Sequence, residues 1–176
     1  MNDIDRAYRS IGEFVVTFQW IENKYREIGW FILDPDRKNW PPMKLRSETN
    51  EKLIDKVTAL FLDLTRTYQF PNGQTQSADF EALRTEFHAL RKFRNRLLHS
   101  TYIELKAGGE LLGLLRSNPK VYVDTETGEV MFDQEPFTEA VVHEEIKKVA
   151  DAAFRLGGHY VQIIHWHPFE RFPRRA

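Results

Sequence analysis

The sequence contains no cysteine, which excludes disulfides, thiolate nucleophiles and cysteine-ligated zinc or iron–sulfur sites together. It also lacks a long apolar run; the longest are a few residues, too short to cross a bilayer. The start, MNDIDRAYRS, is charged and has no secretory apolar stretch, so a soluble, cytoplasmic chain without membrane contact is expected. Neither sign of charge dominates. The 25 basic and 26 acidic residues leave a formal charge of -1, which excludes a globally basic nucleic-acid coat but allows a local patch. No internal repeat or low-complexity tract is found. What is present is apolar material, 41% of 176 residues, enough for one core and short of two well-packed domains. A single domain over 1–176 is expected.

The apolar residues are spaced for helices. Ile4, Tyr8, Ile11, Val15, Phe18, Ile21, Tyr25, Ile28 and Ile32 recur every three or four positions, which predicts a first helix about 40 Å long. Asp34-Pro35 ends it, and Trp40-Pro41-Pro42 keeps the following linker extended. A second helix is expected after Ser47, carrying Leu53, Ile54, Val57, Leu60, Phe61, Leu64 and Tyr68, closed by the turn Pro71-Asn72-Gly73. A third opens near Ser77, a candidate cap with Asp79 and Glu81 in its first turn, and runs to about His99. Residues 101–136 break the periodicity. Within them, Val121-Tyr122-Val123 and Glu129-Val130-Met131-Phe132 flank the turn-forming stretch 124–128 and predict a β-hairpin. A fourth helix starts near Thr138, with a bend expected at Gly157-Gly158, and an aromatic, basic arm covers 166–176. The fold class is therefore all-α: a four-helix up-and-down bundle with a small β-hairpin insertion between helices three and four. That insertion is expected to shape substrate access or a dimer edge.

The chemistry concentrates at Arg91-Lys92-Phe93-Arg94-Asn95-Arg96-Leu97-Leu98-His99-Ser100. Cations in the last turns of a helix ordinarily offset its dipole, and that account suffices for Lys92 and Arg96. It does not suffice for Arg94. On a wheel of about 100° per residue, Arg94 falls inside the apolar arc of Leu83, Phe87, Leu90, Phe93, Leu97 and Leu98, where an unpaired charge is costly. Glu86 lies toward the same arc, so a structural ion pair competes with a functional role. Asn95 and His99 are four apart on one face, with Arg91 and His88 completing that strip. Arginine grips phosphate oxygens in a bidentate fork. Histidine both takes and gives a proton near neutral pH. Together they suit phosphodiester cleavage without a metal.

The stretch Arg94-Asn95-Arg96-Leu97-Leu98-His99 resembles the signature of the HEPN superfamily: an arginine, four to six intervening residues, and a histidine, with a polar residue commonly following the arginine. The four-helix layout, with the motif closing the third helix, is similar as well and extends over roughly 3–166. The resemblance implies a metal-independent, cofactor-free endoribonuclease of toxin–antitoxin, anti-phage or RNA-processing systems. In it Arg94 would hold the scissile phosphate, His99 would act as acid or base, and Asn95 would position RNA or orient the histidine. Arg91, Lys92 and Arg96 would be RNA contacts, as would His88 on the same strip, although a solvated helical histidine is the commoner role. Attack by a ribose 2′-hydroxyl requires both a base and an acid, whereas one motif supplies a single histidine. A homodimer with a composite site is thus expected, alongside RNA and an antitoxin or regulatory protein as partners. Some toxins of the family carry a modifiable tyrosine two residues after the histidine. Here Thr101 holds that place and Tyr102 follows one later, which argues against silencing by tyrosine modification.

The sequence is open to other readings. A HEPN-like module that keeps the motif without cutting would bind RNA, a nucleotide or a protein; a helical interaction protein would use Arg94 in a structural pair. His159, His165 and His167 suggest metal chelation, but no further ligand is close in sequence and Pro168 breaks the spacing, so structural roles are favoured. His143, beside Glu144 and Glu145, reads as surface. Trp166, Phe169 and Phe172 with Arg171, Arg174 and Arg175 suit stacking on bases or, by slight preference, wrapping a partner subunit.

Overall fold

A computed structural model describes residues 3–39, 43–123 and 128–175. It is mostly helical, with a small antiparallel sheet of three strands. In chain order the elements are α1 (Asp3–Leu33), α2 (Met43–Arg46), α3 (Asn50–Thr67), α4 (Gly73–Leu98), β1 (Thr101–Ala107), β2 (Glu110–Val123), β3 (Val130–Pro136) and α5 (Glu139–Trp166). A single 3-10 turn, Phe169–Arg171, follows. The linker at 40–42 and most of the turn at 124–128 lie outside the described residues. Among the described residues, no helix is long and apolar enough to cross a membrane.

The chain divides into two compact units: Met1–Val16 with Lys92–Lys148, and Thr17–Arg91 with Val149–Ala176. The long helices α1, α4 and α5 each contribute to both.

In the second unit, four helices share one aromatic core. Phe61 of α3 stacks on Phe80 of α4 at 4.2 Å and 7°, and Tyr25 of α1 meets Phe80 and Phe87 edge-on. His159 of α5 closes the group against Phe61 and Phe80. Such ring contacts add about 0.5–1.5 kcal/mol beyond area burial. The short α2 was not legible in the pattern; Leu45, fully buried, anchors it. At Gly29 of α1 there is no room for a side chain: a Cβ there would lie 2.8 Å from Val57 Cγ2 and 3.0 Å from Leu45 Cδ1.

One helix boundary and the course of the C-terminal arm differ from the sequence reading. Helix α4 opens at Gly73, not Ser77: Gln76 N donates to Asn72 O, and the Ser77 hydroxyl sits inside the helix, 2.8 Å from Gly73 O and 2.7 Å from Thr65 Oγ1. Helix α5 continues without interruption through Gly157 and Gly158, because the buried residues Leu156, His159 and Ile163 hold that stretch to the core. The segment after α5 folds onto its own chain. Trp166 is buried and stacks on Phe70 at 4.2 Å, Phe169 is buried, and Phe172 meets Phe70 at 5.0 Å. Gln69 N donates to Pro173 O, and Arg175 N to Thr67 O. The aromatic side chains of this arm are thus engaged within the second unit.

In the first unit the sheet has the order β1-β2-β3. The expected hairpin is present, with Val121 opposite Phe132 and Val123 opposite Val130. The sequence reading missed β1 and the first half of β2. They join through Gly108 and Gly109, both at positive φ (61° and 86°), the backbone of a tight two-residue hairpin turn. Register slips between Ser117 and Val121, where Pro119 has no N–H to give the central strand. The sheet is held to the helices by Leu114 and Phe137, both buried, and Phe137 N donates to Leu114 O.

Candidate active site

The sequence that crowds cations into the end of α4 also anchors that end. Phe93 and Leu97 are buried in the first unit, Phe93 meeting Phe14 edge-on at 5.1 Å. Their helical spacing sets Arg94 and Asn95 at the margin of the core, where both are half-buried. Lys92 and Arg96 are exposed; the Arg96 guanidinium lies 5.2 Å from the Phe93 ring centre. His99, one residue past the helix, is exposed, and its backbone N–H donates to Asn95 O.

The environment of Arg94 is unusual for an arginine at the edge of a core. Nη1 donates to Asn95 Oδ1 at 3.2 Å, while Nε is buried without a hydrogen-bond partner. Among the described residues no carboxylate pairs with it. Glu86, the acid the sequence offered, has both oxygens 2.9 Å from Arg155 Nη1 in the second unit. Asn95 therefore orients the arginine, and the His99 imidazole makes no hydrogen bond among the described residues. A fixed cation with unspent donors, an amide and an accessible imidazole make up the end of α4.

His88 and Arg91 belong to the second unit and are engaged there. His88 Nε2 is 2.9 Å from Asp55 Oδ1, an oxygen that also accepts from Arg84 Nε at 2.7 Å. Arg91 Nη1 is 3.1 Å from Glu51 Oε2. Burial pushes the Asp55 carboxyl up, but hydrogen bonds from Arg84 and His88, with their charge, outweigh it and hold Asp55 below the usual carboxylate range. Of the four side chains expected to touch RNA, His88 and Arg91 thus each face a carboxylate, while among the described residues Lys92 and Arg96 do not.

The residues that fix the last turn of α4 were not singled out from the sequence. The final carbonyls of a helix lack intrahelical partners. Here Ser100 Oγ donates to Arg96 O at 2.6 Å and the Tyr102 hydroxyl to Leu97 O at 3.0 Å. Tyr102 is wedged between Tyr8 and Phe137, and burial pushes its phenol up to about 12 against the lowering effect of Arg116. Arg116 of β2 is itself buried, reaching Ser100 Oγ through Nη1 at 3.0 Å and Glu135 Oε1 through Nε at 2.9 Å. An arginine directly after the leucine run 111–115 is the signal that was available. What it contacts depends on β3.

Two other features resemble sites but lack the groups for one. In the second unit, Trp20, Lys24, Phe154, Gly157, Gly158 and Tyr160 line an apolar groove of about 780 Å³. Its one charged group, Lys24, is paired with Glu27 at 2.5 Å and lies over the Trp20 and Tyr160 rings, which leaves no base for chemistry. His159 is buried against Asp79, His143 is exposed, and among the described residues no three His, Cys, Asp or Glu side chains converge on a metal position. No family model, no curated protein and no solved structure matches the chain.

Proposed function

We propose that this chain is a HEPN-type, metal-independent endoribonuclease. The observation that carries the reading is Arg94: a half-buried guanidinium with a buried, unpartnered Nε, oriented by Asn95 and without a carboxylate among the described residues. An arginine held that way is ready to receive an oxyanion. His99, exposed at the end of the same helix, is the group to move a proton beside it. In the proposed reaction the ribose 2′-oxygen attacks phosphorus while a base takes its proton. The 5′-oxygen leaves and receives a proton from an acid. The products are a 2′,3′-cyclic phosphate and a 5′-hydroxyl, and DNA is not cut. One His99 performs one of these transfers, so the reading includes a homodimer that brings a second. A toxin–antitoxin or phage-defence setting, with a regulatory protein partner, belongs to the same reading.

A second reading, a HEPN-like module that binds RNA, a nucleotide or a protein without cutting, is favoured by one observation. His88 and Arg91 face Asp55 and Glu51, which reduces the basic surface available for an RNA chain. The test is incubation of purified protein with total tRNA and a structured RNA in EDTA, with His99→Ala and Arg94→Ala as controls. Cleavage that survives the chelator, leaves cyclic phosphate ends and disappears in both folded controls supports the nuclease. Binding without cleavage, lost in Arg94→Ala, supports the second reading.

A further inference from the structure

We propose that Arg116 is a positioning residue for His99, acting through Ser100. The inference gives the sheet a role in the site and rests on the reading of His99 as the proton-transferring group. Arg116 is 1% exposed, and a guanidinium is removed from water at a cost unless every donor finds a partner. Nε meets Glu135 Oε1 at 2.9 Å, Nη2 lies 3.5 Å from both Asp133 oxygens, and Nη1 donates to Ser100 Oγ at 3.0 Å. The carboxylates come from β3, so pairing of β2 with β3 fixes the direction of the fork.

The third arm of that fork leaves the sheet for the chain beside His99. Ser100 Oγ accepts from Arg116 and spends its own proton on Arg96 O, in the last turn of α4. The Ser100 hydroxyl thereby accepts one hydrogen bond and donates one. Ser100 is pinned from two sides, and the backbone on which His99 stands is pinned with it. The His99 imbalance is telling: its main chain is held through Asn95 O while its imidazole extends outward. A catalytic imidazole on the residue just past a helix end would otherwise fray with that end. The Arg116–Ser100 link suppresses that motion without occupying the ring, which is what a proton-transferring group requires.

The fork also separates two roles that a simple ion pair would merge. Lysine at 116 would keep a charge for Asp133 and Glu135 but has no planar fork to satisfy both carboxylates and Ser100 together. Serine 100 carries the link alone, so Ser100→Ala removes it while leaving the ion pairs of the sheet in place.

The experiment uses the full-length protein and two readouts. The first is amide exchange and the side-chain NMR signals of His99 in wild type, Ser100→Ala, Arg116→Lys and Arg116→Gln. The second is cleavage of the structured RNA with kcat and KM separated, over pH 5 to 9. The expected result is that His99 amide exchange rises about tenfold in Ser100→Ala while core amides are unchanged. In the same variant kcat falls about tenfold with KM and the shape of the pH profile retained. Arg116→Lys recovers thermal stability relative to Arg116→Gln without recovering kcat. The inference is overturned if Ser100→Ala leaves His99 exchange at the wild-type rate, or if stability and kcat recover together in Arg116→Lys, the mark of a merely structural arginine. Should the wild type cut no RNA, the nuclease reading fails while the exchange measurement still decides whether Arg116 holds His99 in place.

Discussion

His159 Nε2 lies 2.7 Å from Asp79 Oδ2, with the histidine side chain 3% exposed. The neutral ring donates through Nε2 and leaves Nδ1 as a buried acceptor without a partner. Arg155 completes the cluster, bonding Asp79 at 2.5 Å and Glu86 at 2.9 Å. Burial pushes the His159 pKa down, against the pull of Asp79, so that it lies below the ordinary 6.5. Burial pushes Asp79 up, but the bonds from Arg155 and His159 outweigh it and hold the carboxyl below 3.8.

This cluster predicts acid lability in two stages. Above about pH 6.5 the histidine is neutral in both states and its contribution is complete. As pH falls below that value the unfolded chain takes up a proton that the native one refuses, so stability declines, by at most about 1.4 kcal/mol per pH unit for one site, until the native ring also protonates. The Asp79 contribution persists until pH falls below about 3.8 and toward its depressed value. Urea unfolding between pH 3 and 8 tests this. In His159→Gln, which retains a donor to Asp79 but does not titrate, the upper stage disappears and the lower remains.

Arg94→Met is expected to leave thermal stability unchanged or to raise it. The arginine has no carboxylate partner among the described residues and a buried Nε without a bond, and replacing such a charge by an apolar chain is neutral or favourable. A structural ion pair would instead cost about 3–5 kcal/mol on removal. Sulfate should raise the Tm of the wild type by more than that of the variant. Calorimetry with and without sulfate reads both outcomes.

Gly29→Ala is expected to destabilise by about 1–3 kcal/mol. The new Cβ would enter space held by Val57 and Leu45, whose side chains are fully buried and have no exposed end to swing away. Gly158→Ala is the control, because nothing lies within 4 Å of its added carbon, and alanine favours the helix. Opposite shifts in the urea midpoint are expected.

Tyr102→Phe removes the hydroxyl that caps Leu97 O and should cost about 1 kcal/mol near neutral pH. Because burial raises the phenol to about 12, its contribution is complete below about pH 10 and is lost as pH rises toward about 12. The wild type should therefore weaken over that alkaline interval more than the variant does, although Tyr25, raised further by its burial, adds a slope common to both. Unfolding at pH 7, 9.5 and 11 separates the two.

The four long helices were legible because each buries a stripe repeated every three or four residues, from Phe18 through Ile28 and from Leu53 through Leu64. Before Phe18, however, the buried face of α1 is Ile4, Ala7, Ser10 and Phe14, and Tyr8 is exposed. The three-stranded sheet was only partly legible. Val121–Val123 and Val130–Phe132 carry β-forming residues about a short turn, whereas Leu111, Leu112, Leu114 and Leu115 interrupted by Gly113 fit neither a period of 2 nor one of 3.6. Ser77 looked like a helix start because its side chain suits a cap. The structure spends its hydroxyl on a neighbouring turn and on Thr65 instead. The candidate site divides along the same line. Arg94, Asn95 and His99 share a helix or its end, so their neighbourhood follows from local geometry.

By itself, then, the sequence determined the helical class, the apolar stripes, the absence of cysteine chemistry and the motif at the end of α4, since all of these depend on residue type and on neighbours a few positions away. Only the tertiary structure decided which charges are spent. It gave Glu86 to Arg155 rather than to Arg94, seated His88 against Asp55 and Arg91 against Glu51, and brought Arg116 to Ser100. Helical period fixes the direction of a side chain relative to its own helix. The identity of its partner is fixed by whichever other segment packs against that face, and that depends on contacts between residues far apart in the chain.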